Sequence, residues 1–349
     1  MTETVTPVTA ADADTAADAN APDPAAVLVA IPTLNEAPFI ARTLDMLMAG
    51  GGGMERVRIV VSDGGSTDGT RDVVAEYGRR HPNVTLIDNP RRLQSAGVNA
   101  VVETCAGPGH RYLVRVDAHA EYPPGYVLDV VRALRARGAD ALATVMDSGG
   151  GTCFQRGAAW AVDTKLGSGG SGHRAGTRSG WVDHGHHAGF TLDIWRRTGG
   201  YDPGYAANED AELDRRIALA GGRVWLETGI RMGYHMRPGF AALARQYWRY
   251  GRGRARTTFR HRMVPKVRQM VPALAFAANA LALLLAPFAP WLLVVPGLYL
   301  LVLAGVTAML VARHRSACAL WAGPALFAMH MWWGAGFLWH ALTRQGREA

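Results

Sequence analysis

Only three cysteines occur in the 349 residues, Cys105, Cys153 and Cys318, and they are scattered. Without metal-binding or redox spacing they exclude a disulfide-built secreted scaffold, and they point to a reducing, cytosolic setting with no disulfide framework. No basic residue occurs in the first 25 positions, which are rich in Ala, Asp, Thr and Pro. Lacking a basic start and an apolar core, this segment does not read as a secretory signal. With few large apolar side chains to offset ordering entropy, it reads as a disordered tail over residues 1–25. No charged residue at all occurs from Val271 to Val311. Such a length of uncharged chain is rare in the interior of a soluble protein.

Prolines 287 and 290 divide that stretch into two segments, each near the ~20 residues that cross a hydrocarbon core. Ala312 to Arg315 interrupts it. A third apolar segment, Ala317 to Leu342, carries Trp321, Trp332, Trp333 and Trp339, with Pro324 and His330 weakening it. The reading is a membrane region at 269–342 with about three helices and a tail at 343–349. Arg245 to Arg268 carries nine basic residues and no acid. The net charge of +8 is therefore local and juxtamembrane, which favours anionic lipid headgroups and a cytoplasmic flank over nucleic acid. This basic, amphipathic segment spans 238–268, and the expected setting is the plasma membrane, multi-pass, with the preceding domain in the cytoplasm.

The N-terminal part, 26–237, alternates apolar strands with helical stretches. Val57 to Thr70 runs an apolar strand into Asp63 and a glycine-tight turn, with Ser66 or Thr67 placed to cap a helix from Asp68 to Tyr77. Upstream, Val27 to Glu36 is a second strand ending in a polar cluster, and Pro38 opens a helix to Met48. Downstream, Arg111 to His119 is a third strand, delivering Asp117 and His119 two residues apart. In an open α/β sheet ligands lie beyond the strand ends, where these acids converge. Each alone is compatible with an ordinary strand–turn–helix.

Together, Pro32-x-x-Asn35-Glu36, Ser62 to Asp68, Asp117-Ala-His119, and Asn208-Glu-Asp210 followed by Glu212-Leu resemble the family-2 inverting glycosyltransferases. Within them the chain is similar to those of succinoglycan-type exopolysaccharide assembly, over roughly residues 26 to 260. The resemblance implies a GT-A fold, a Rossmann-like mixed α/β sheet, followed here by the transmembrane helices. It implies that Pro32, Thr33, Glu36, Asp63 and Asp117 hold a nucleotide-sugar donor, with UDP or GDP. Asp117 and His119 stand in the place of the family's Asp-x-Asp element, which holds a divalent cation, Mn²⁺ or Mg²⁺. A histidine in place of the second acid makes Mn²⁺ more plausible. His235 is a further ligand candidate or else a structural histidine.

Asn208 to Gly222 reads as one helix, with Asn208 as N-cap and acids in its first turn. Those acids complement a helix dipole in any case. The resemblance makes Asp210 the general base and sets Glu209 beside the acceptor or diphosphate. Gln246, Arg249 and Tyr250 resemble a Gln-x-x-Arg-Trp element with tyrosine replacing tryptophan. They share one helix face, suited to the acceptor sugar or diphosphate. The same segment also fits an amphipathic helix lying on a membrane. Gly167 to Gly180 reads as a mobile glycine-rich loop leading to His184, His186 and His187. Their spacing fits no standard zinc pattern, so they read as lining of the acceptor cleft.

The expected activity is transfer of a sugar to a polyprenyl-diphosphate-linked acceptor in exopolysaccharide or cell-surface polysaccharide synthesis. The alternatives are a polyprenyl-phosphate glycosyltransferase, which needs no general base, and a non-catalytic glycan-assembly scaffold.

Overall fold

The computed structural model describes residues 21–174, 176–265 and 267–343. β1 (Val27–Thr33) leads into α1 (Ala37–Met48), β2 (Arg58–Asp63) into α2 (Thr70–Arg80), and β3 (Val84–Asp88) into α3 (Gln94–Cys105). β4 (Tyr112–Arg115) and α4 (Tyr126–Arg137) follow, then β5 (Ala141–Gly149), α5 (Cys153–Val162) and the single turn α6 (Lys165–Ser168). β6 (Gly180–Val182), β7 (His186–Thr191), α7 (Leu192–Thr198), α8 (Glu209–Leu219) and β8 (Val224–His235) complete the α/β part. The C-terminal helices are α9 (Phe240–Arg260), α10 (Val267–Leu285), α11 (Val294–His314) and α12 (Ala322–Thr343).

The strands form one mixed sheet of order β3-β2-β1-β4-β7-β5-β8-β6. β1 pairs in parallel with β2 and β4, whereas β7 runs antiparallel between β4 and β5. Along β1, Val27, Val29 and Ile31 pack with α1, α2 and α4, while Leu28 and Ala30 pack with α3, α7 and α8. That alternation, with both faces apolar, is what a central strand covered by helices on two sides requires. The parallel strands end at one edge of the sheet. β7 begins at that same edge because it runs the other way, so its first residues, His186 and His187, sit beside the residues that follow β4.

Several expectations are corrected. Residues 1–20 lie outside the described residues, but residues 21–25 of the expected tail are docked. Asp23 caps a short 3₁₀ turn over Pro24–Ala26 and pairs with Arg56 at 2.8 Å. The helix after Asp63 starts at Thr70, not Asp68, and neither Ser66 nor Thr67 caps it, because Ser66 Oγ donates to Asp63 instead. Asn208 precedes α8 with φ +68° and makes no side-chain cap. The glycine-rich segment is partly structured, with α6 capped by Thr164. Cys153 and Cys318 are joined in a disulfide between α5 and the short 3₁₀ helix Ala317–Trp321, so the unpaired-cysteine reading fails. Their 165-residue separation hides this pairing from any local pattern.

The membrane region also differs. Among the described residues one helix, Pro290–His314, is long and apolar enough to cross a bilayer, and Gln269–Leu285 is a shorter apolar helix. α12, where the third span was expected, is not among the helices long and apolar enough to cross, and it packs against α9, α5 and α11. At Gly336 an added Cβ would lie 2.4 Å from the Trp248 carbonyl oxygen of α9. The two helices therefore cross at backbone distance, which an aliphatic side chain there would prevent. Residues 344–349 of the expected tail lie outside the described residues.

Candidate active site

The first two motifs are joined into one double loop beyond β1 and β2. Thr33 and Asp63 are register partners. The Asn35 amide donates to Ser66 Oγ (2.8 Å), and Asn35 Oδ1 accepts from the Thr67 amide (3.0 Å). Glu36 and Ala37 amides donate to Thr70 Oγ1 and Asp68 Oδ2. Asp63 is the hub. Only 1% exposed, its carboxylate accepts from the Gly65 and Ser66 amides, the Thr33 and Ser66 hydroxyls, and Arg71. Burial pushes its pKa up, but the Ser66 and Arg71 hydrogen bonds outweigh that and hold it low. The carboxylate expected to meet a nucleoside is thus filled by protein donors and fixes the shape of the loop. Pro32 and Thr33 lie at the end of β1 in the same corner.

A cleft of about 1730 Å³ opens beyond the ends of β4, β5 and β8. Asp117, His119, Glu209, Asp210, Gln246, Arg249 and Tyr250 all line it, drawn together from three separate sequence regions. His235 is not among its lining residues. It faces Glu121, with Nε2 3.5 Å from Oε1. Among the described residues no three His, Cys, Asp or Glu side chains form a metal-holding cluster.

Arg115, the last residue of β4, holds the centre and was not singled out by its motif. Its Nη1 donates to Asp210 Oδ1 (2.7 Å) and Tyr201 OH (3.0 Å) and lies 3.6 Å from Glu209. Its Nη2 reaches Asp117 Oδ1 at 3.4 Å. One buried guanidinium thus bridges three acids from the two site motifs. Asp117 Oδ1 also accepts from Gln94 Nε2 (2.6 Å), whereas Oδ2 has His186 Nε2 no nearer than 3.9 Å. His119 Nδ1 pairs with Glu36 Oε1 at 2.9 Å, which leaves Nε2 uncommitted. A carboxylate orienting one imidazole nitrogen while the other faces a cleft is the arrangement that metal-ligating histidines use. Asp117 Oδ2 and His119 Nε2 therefore fit a cation site of two protein ligands. Glu36, expected to touch the nucleotide, serves His119.

The acids of α8 titrate apart. Burial pushes Glu209 up, and the neighbouring charge of Asp210 adds to it, taking it to about 7. Asp210 is equally buried, but Arg115 and His187 hold its carboxyl well below the usual range. Behind them lie side chains that the sequence reading placed along the acceptor cleft or missed. His187 Nδ1 is 3.2 Å from Asp210 Oδ1, and its Nε2 is 2.6 Å from Asp214 Oδ1. His184 Nδ1 also pairs with Asp214 (2.8 Å). The histidines bind α8 to β7, and no local spacing signals this because the contact depends on the antiparallel insertion of β7.

α9 closes the cleft from the other side. Gln246 accepts from the Tyr234 and Tyr250 hydroxyls (2.9 and 3.0 Å) and from Arg237. Arg256 donates to the Gly204 carbonyl and Arg260 pairs with Asp202, while His261 reaches Glu212 at 2.9 Å. These contacts bind α9 and the residue after it to the loop before α8 and to α8 itself, which carries Glu209 and Asp210, so α9 is part of the site.

A mixed sheet with acids gathered beyond its parallel strand ends defines the GT-A class of nucleotide-sugar transferases. The chain belongs to glycosyl transferase family 2, whose family model matches residues 28–197. It is 40% identical over 316 residues to the succinoglycan biosynthesis protein ExoA of Rhizobium meliloti (strain 1021), covering 90% of this chain and 94% of that one. A shorter match, 35% over 113 residues, links it to the validoxylamine A glucosyltransferase of Streptomyces hygroscopicus subsp. jinggangensis, across 29% of this chain and 27% of that protein. In fold it is similar to the mannosyltransferase PcManGT of Pyrobaculum calidifontis, solved in complex with GDP-Man and Mn²⁺ (TM-score 0.56, 23% identity, 94% and 90% of the two chains). The protein is a glycosyltransferase.

Proposed function

We propose that this chain is a membrane-bound, inverting glycosyltransferase of exopolysaccharide synthesis. It would move a sugar from a UDP- or GDP-linked donor to a polyprenyl-diphosphate-linked glycan on the cytoplasmic side of the plasma membrane. The observation that carries this reading is the lining of the cleft. It runs from Asp117 and Asp210, past Arg249 and Tyr250, to Val271, Pro272, Met329 and Trp333 on the C-terminal helices. A polar end with acids and an apolar end beside exposed helices suit an acceptor with a sugar head and a lipid tail. The relationship to a protein named for succinoglycan biosynthesis supports the pathway class.

In this reading the loop pair at Pro32 to Glu36 and Asp63 to Asp68 cradles the nucleoside. Asp117 and His119 hold a divalent cation, which supplies positive charge opposite the donor diphosphate. Asp210 takes the proton of the acceptor hydroxyl as that oxygen attacks the anomeric carbon. The bond to the diphosphate breaks on the opposite side, and the electron pair leaves with the nucleotide, so configuration inverts. Gln246, Arg249 and Tyr250 orient the acceptor head. Membrane lipids cover the apolar helices, and nucleic acid has no part.

Asp210→Asn tests the reading against its nearest rival. A sugar hydroxyl needs a base in the transition state, worth roughly 10²–10⁴-fold, whereas an anionic lipid phosphate gains little from one. We expect kcat on lipid-linked glycan to fall by at least about 10²-fold with little change in donor KM. Turnover near normal would favour the polyprenyl-phosphate transferase.

A further inference from the structure

We propose that His187 and Asp214 are positioning residues that leave one named atom of Asp210, Oδ2, to receive the acceptor's proton. This rests on the reading of Asp210 as the base. Two donors hold the other oxygen, Oδ1, Arg115 Nη1 at 2.7 Å and Tyr201 OH at 3.0 Å, and His187 Nδ1 backs both, 3.2 Å from that oxygen and 3.1 Å from the Tyr201 hydroxyl. Among the described residues Oδ2 has only His186 Nδ1 nearby, at 3.7 Å, and Asp210 lines the cleft. A carboxylate held by two hydrogen bonds and a close imidazole on one oxygen cannot rotate without breaking them, so the other oxygen keeps a fixed direction.

His187 is central to that hold. It is 1% exposed, and its Nδ1 faces the Tyr201 hydroxyl at 3.1 Å and Asp210 Oδ1 at 3.2 Å, while Nε2 faces Asp214 at 2.6 Å. The Tyr201 hydroxyl donates its single proton to Asp210 Oδ1, so a neutral imidazole protonated on Nε2 would leave Nδ1 facing two oxygens without a proton. The geometry therefore calls for the imidazolium, donating on both sides. Asp214 is 2% exposed and is itself fixed by His184 Nδ1 (2.8 Å) and the Gly185 amide (3.4 Å). The charged and titratable groups facing His187 are Asp210 and Asp214 from α8, Tyr201 from the loop before it, and Arg115, from β4, through their shared partner Asp210. The line Asp214–His187–Asp210 runs across two elements, β7 and α8.

Proton and electron balance are ordinary. The acceptor O–H bond breaks as its oxygen bonds to the anomeric carbon, the proton goes to Asp210 Oδ2, and the diphosphate leaves with the bonding pair. After product departs, Oδ2 releases the proton to solvent in the cleft, while His187 keeps both of its own.

The experiment compares His187→Phe, His187→Asn and Asp214→Asn in the full-length protein in membranes, with nucleotide binding as the check on folding. Misplacing a catalytic group by about 1 Å costs on the order of 10²-fold. His187→Phe should lower kcat by about that factor with donor KM unchanged. Asn can present its amide nitrogen where Nδ1 stood, so His187→Asn should recover a large part of the loss. Asp214→Asn removes the carboxylate that stabilises the imidazolium, so the alkaline fall in activity should begin at lower pH than in the parent. Combined with Asp210→Asn, each should add almost nothing, because both act through that carboxylate. Near-normal kcat in His187→Phe, or equal losses in Phe and Asn variants with an unmoved alkaline limb in Asp214→Asn, would overturn the proposal. If Asp210→Asn itself retained turnover, the base assignment would fall instead. The two failures are therefore distinct.

Discussion

Two parts of this molecule treat the same residue types in opposite ways. In β1 every residue from Val27 to Ile31 is fully buried, sealed between two layers of helices. In α11, Leu300, Leu301 and Val302 are 55%, 66% and 52% exposed, and Phe288 and Trp291 before it are 88% and 72% exposed. Exclusion of water organises the first region. The second has no cover among the described residues, and an apolar surface of that extent needs one in an aqueous setting. The charges are reversed as well. Arg115 is buried and its acids are half-buried at the head of the sheet, while the helix pair α10–α11 carries no charge from Val271 to Val311. α9 and α12 mediate between the two, apolar toward one another, with α9 turning Gln246, Arg249 and Tyr250 toward the cleft.

One substitution made in both regions tests this contrast most severely. Val60→Arg places a charge in β2 at a fully buried position with no partner, and the expected result is loss of the folded domain and of nucleotide binding. Leu301→Arg places the same charge on the exposed face of α11. The catalytic domain should fold and bind nucleotide as before. If lipid covers α11, membrane association should weaken, by about 2.5–3.5 kcal/mol on insertion scales for a central position. Fractionation and nucleotide titration of the two variants measure both effects. Unchanged membrane association for Leu301→Arg would break the comparison and require a protein partner on α11.

The next effect lies at the junction. Removing divalent cations should abolish transfer and weaken nucleotide-sugar binding measured by calorimetry, because the diphosphate would lack its counter-charge. With His119 in place, Mn²⁺ should restore activity at least as well as Mg²⁺, and His119→Asp should shift preference toward Mg²⁺. Glu36 raises the pKa of His119, which burial alone would lower, so protons compete with the cation from a higher pH than for a free imidazole. Full activity in excess chelator would return His119 to a role in the loop alone.

How much of this was legible in sequence follows the same regional divide. β1, β2, α1 and the body of α8 carry their own periodicity and turn residues, so local reading finds them. The gathering of Asp117, His119 and Asp210 followed from resemblance, and the structure brings those residues to one cleft. Arg115 was passed over because a charged residue inside an apolar strand has no local signature of the acids it will bridge. His187 and Asp214 were out of reach because their meeting requires β7 to enter the sheet antiparallel beside β4. The third apolar segment is hard to read for a related reason: α12 is apolar like α11, and only packing shows how much of it α9 and α5 cover.

The smallest expected effect concerns Glu209, and it separates the two acids of α8. Burial and the adjacent Asp210 charge raise Glu209 to about 7 from an ordinary 4.5. A carboxyl with a raised folded pKa contributes stability below its unfolded pKa and loses it as pH rises through the folded one. Glu209 therefore destabilises the fold progressively from about pH 4.5 to 7. His187, raised to about 10, loses its contribution only above its unfolded value of 6.5, so between pH 5 and 6.5 the two effects do not overlap. Asp210, lowered, contributes above 3.8 and is constant across that window. Glu209→Gln keeps the size and hydrogen-bonding capacity while removing the titration. The difference in Tm between this variant and the parent should therefore grow in the variant's favour from pH 5 to 6.5, with groups common to both cancelling. Turnover should change by less than about 10-fold, since the proton acceptor remains. A flat Tm difference would mean that Glu209 titrates normally in the fold. A loss of 10²-fold or more, of the order general-base catalysis supplies, would move the role of base from Asp210 to its neighbour.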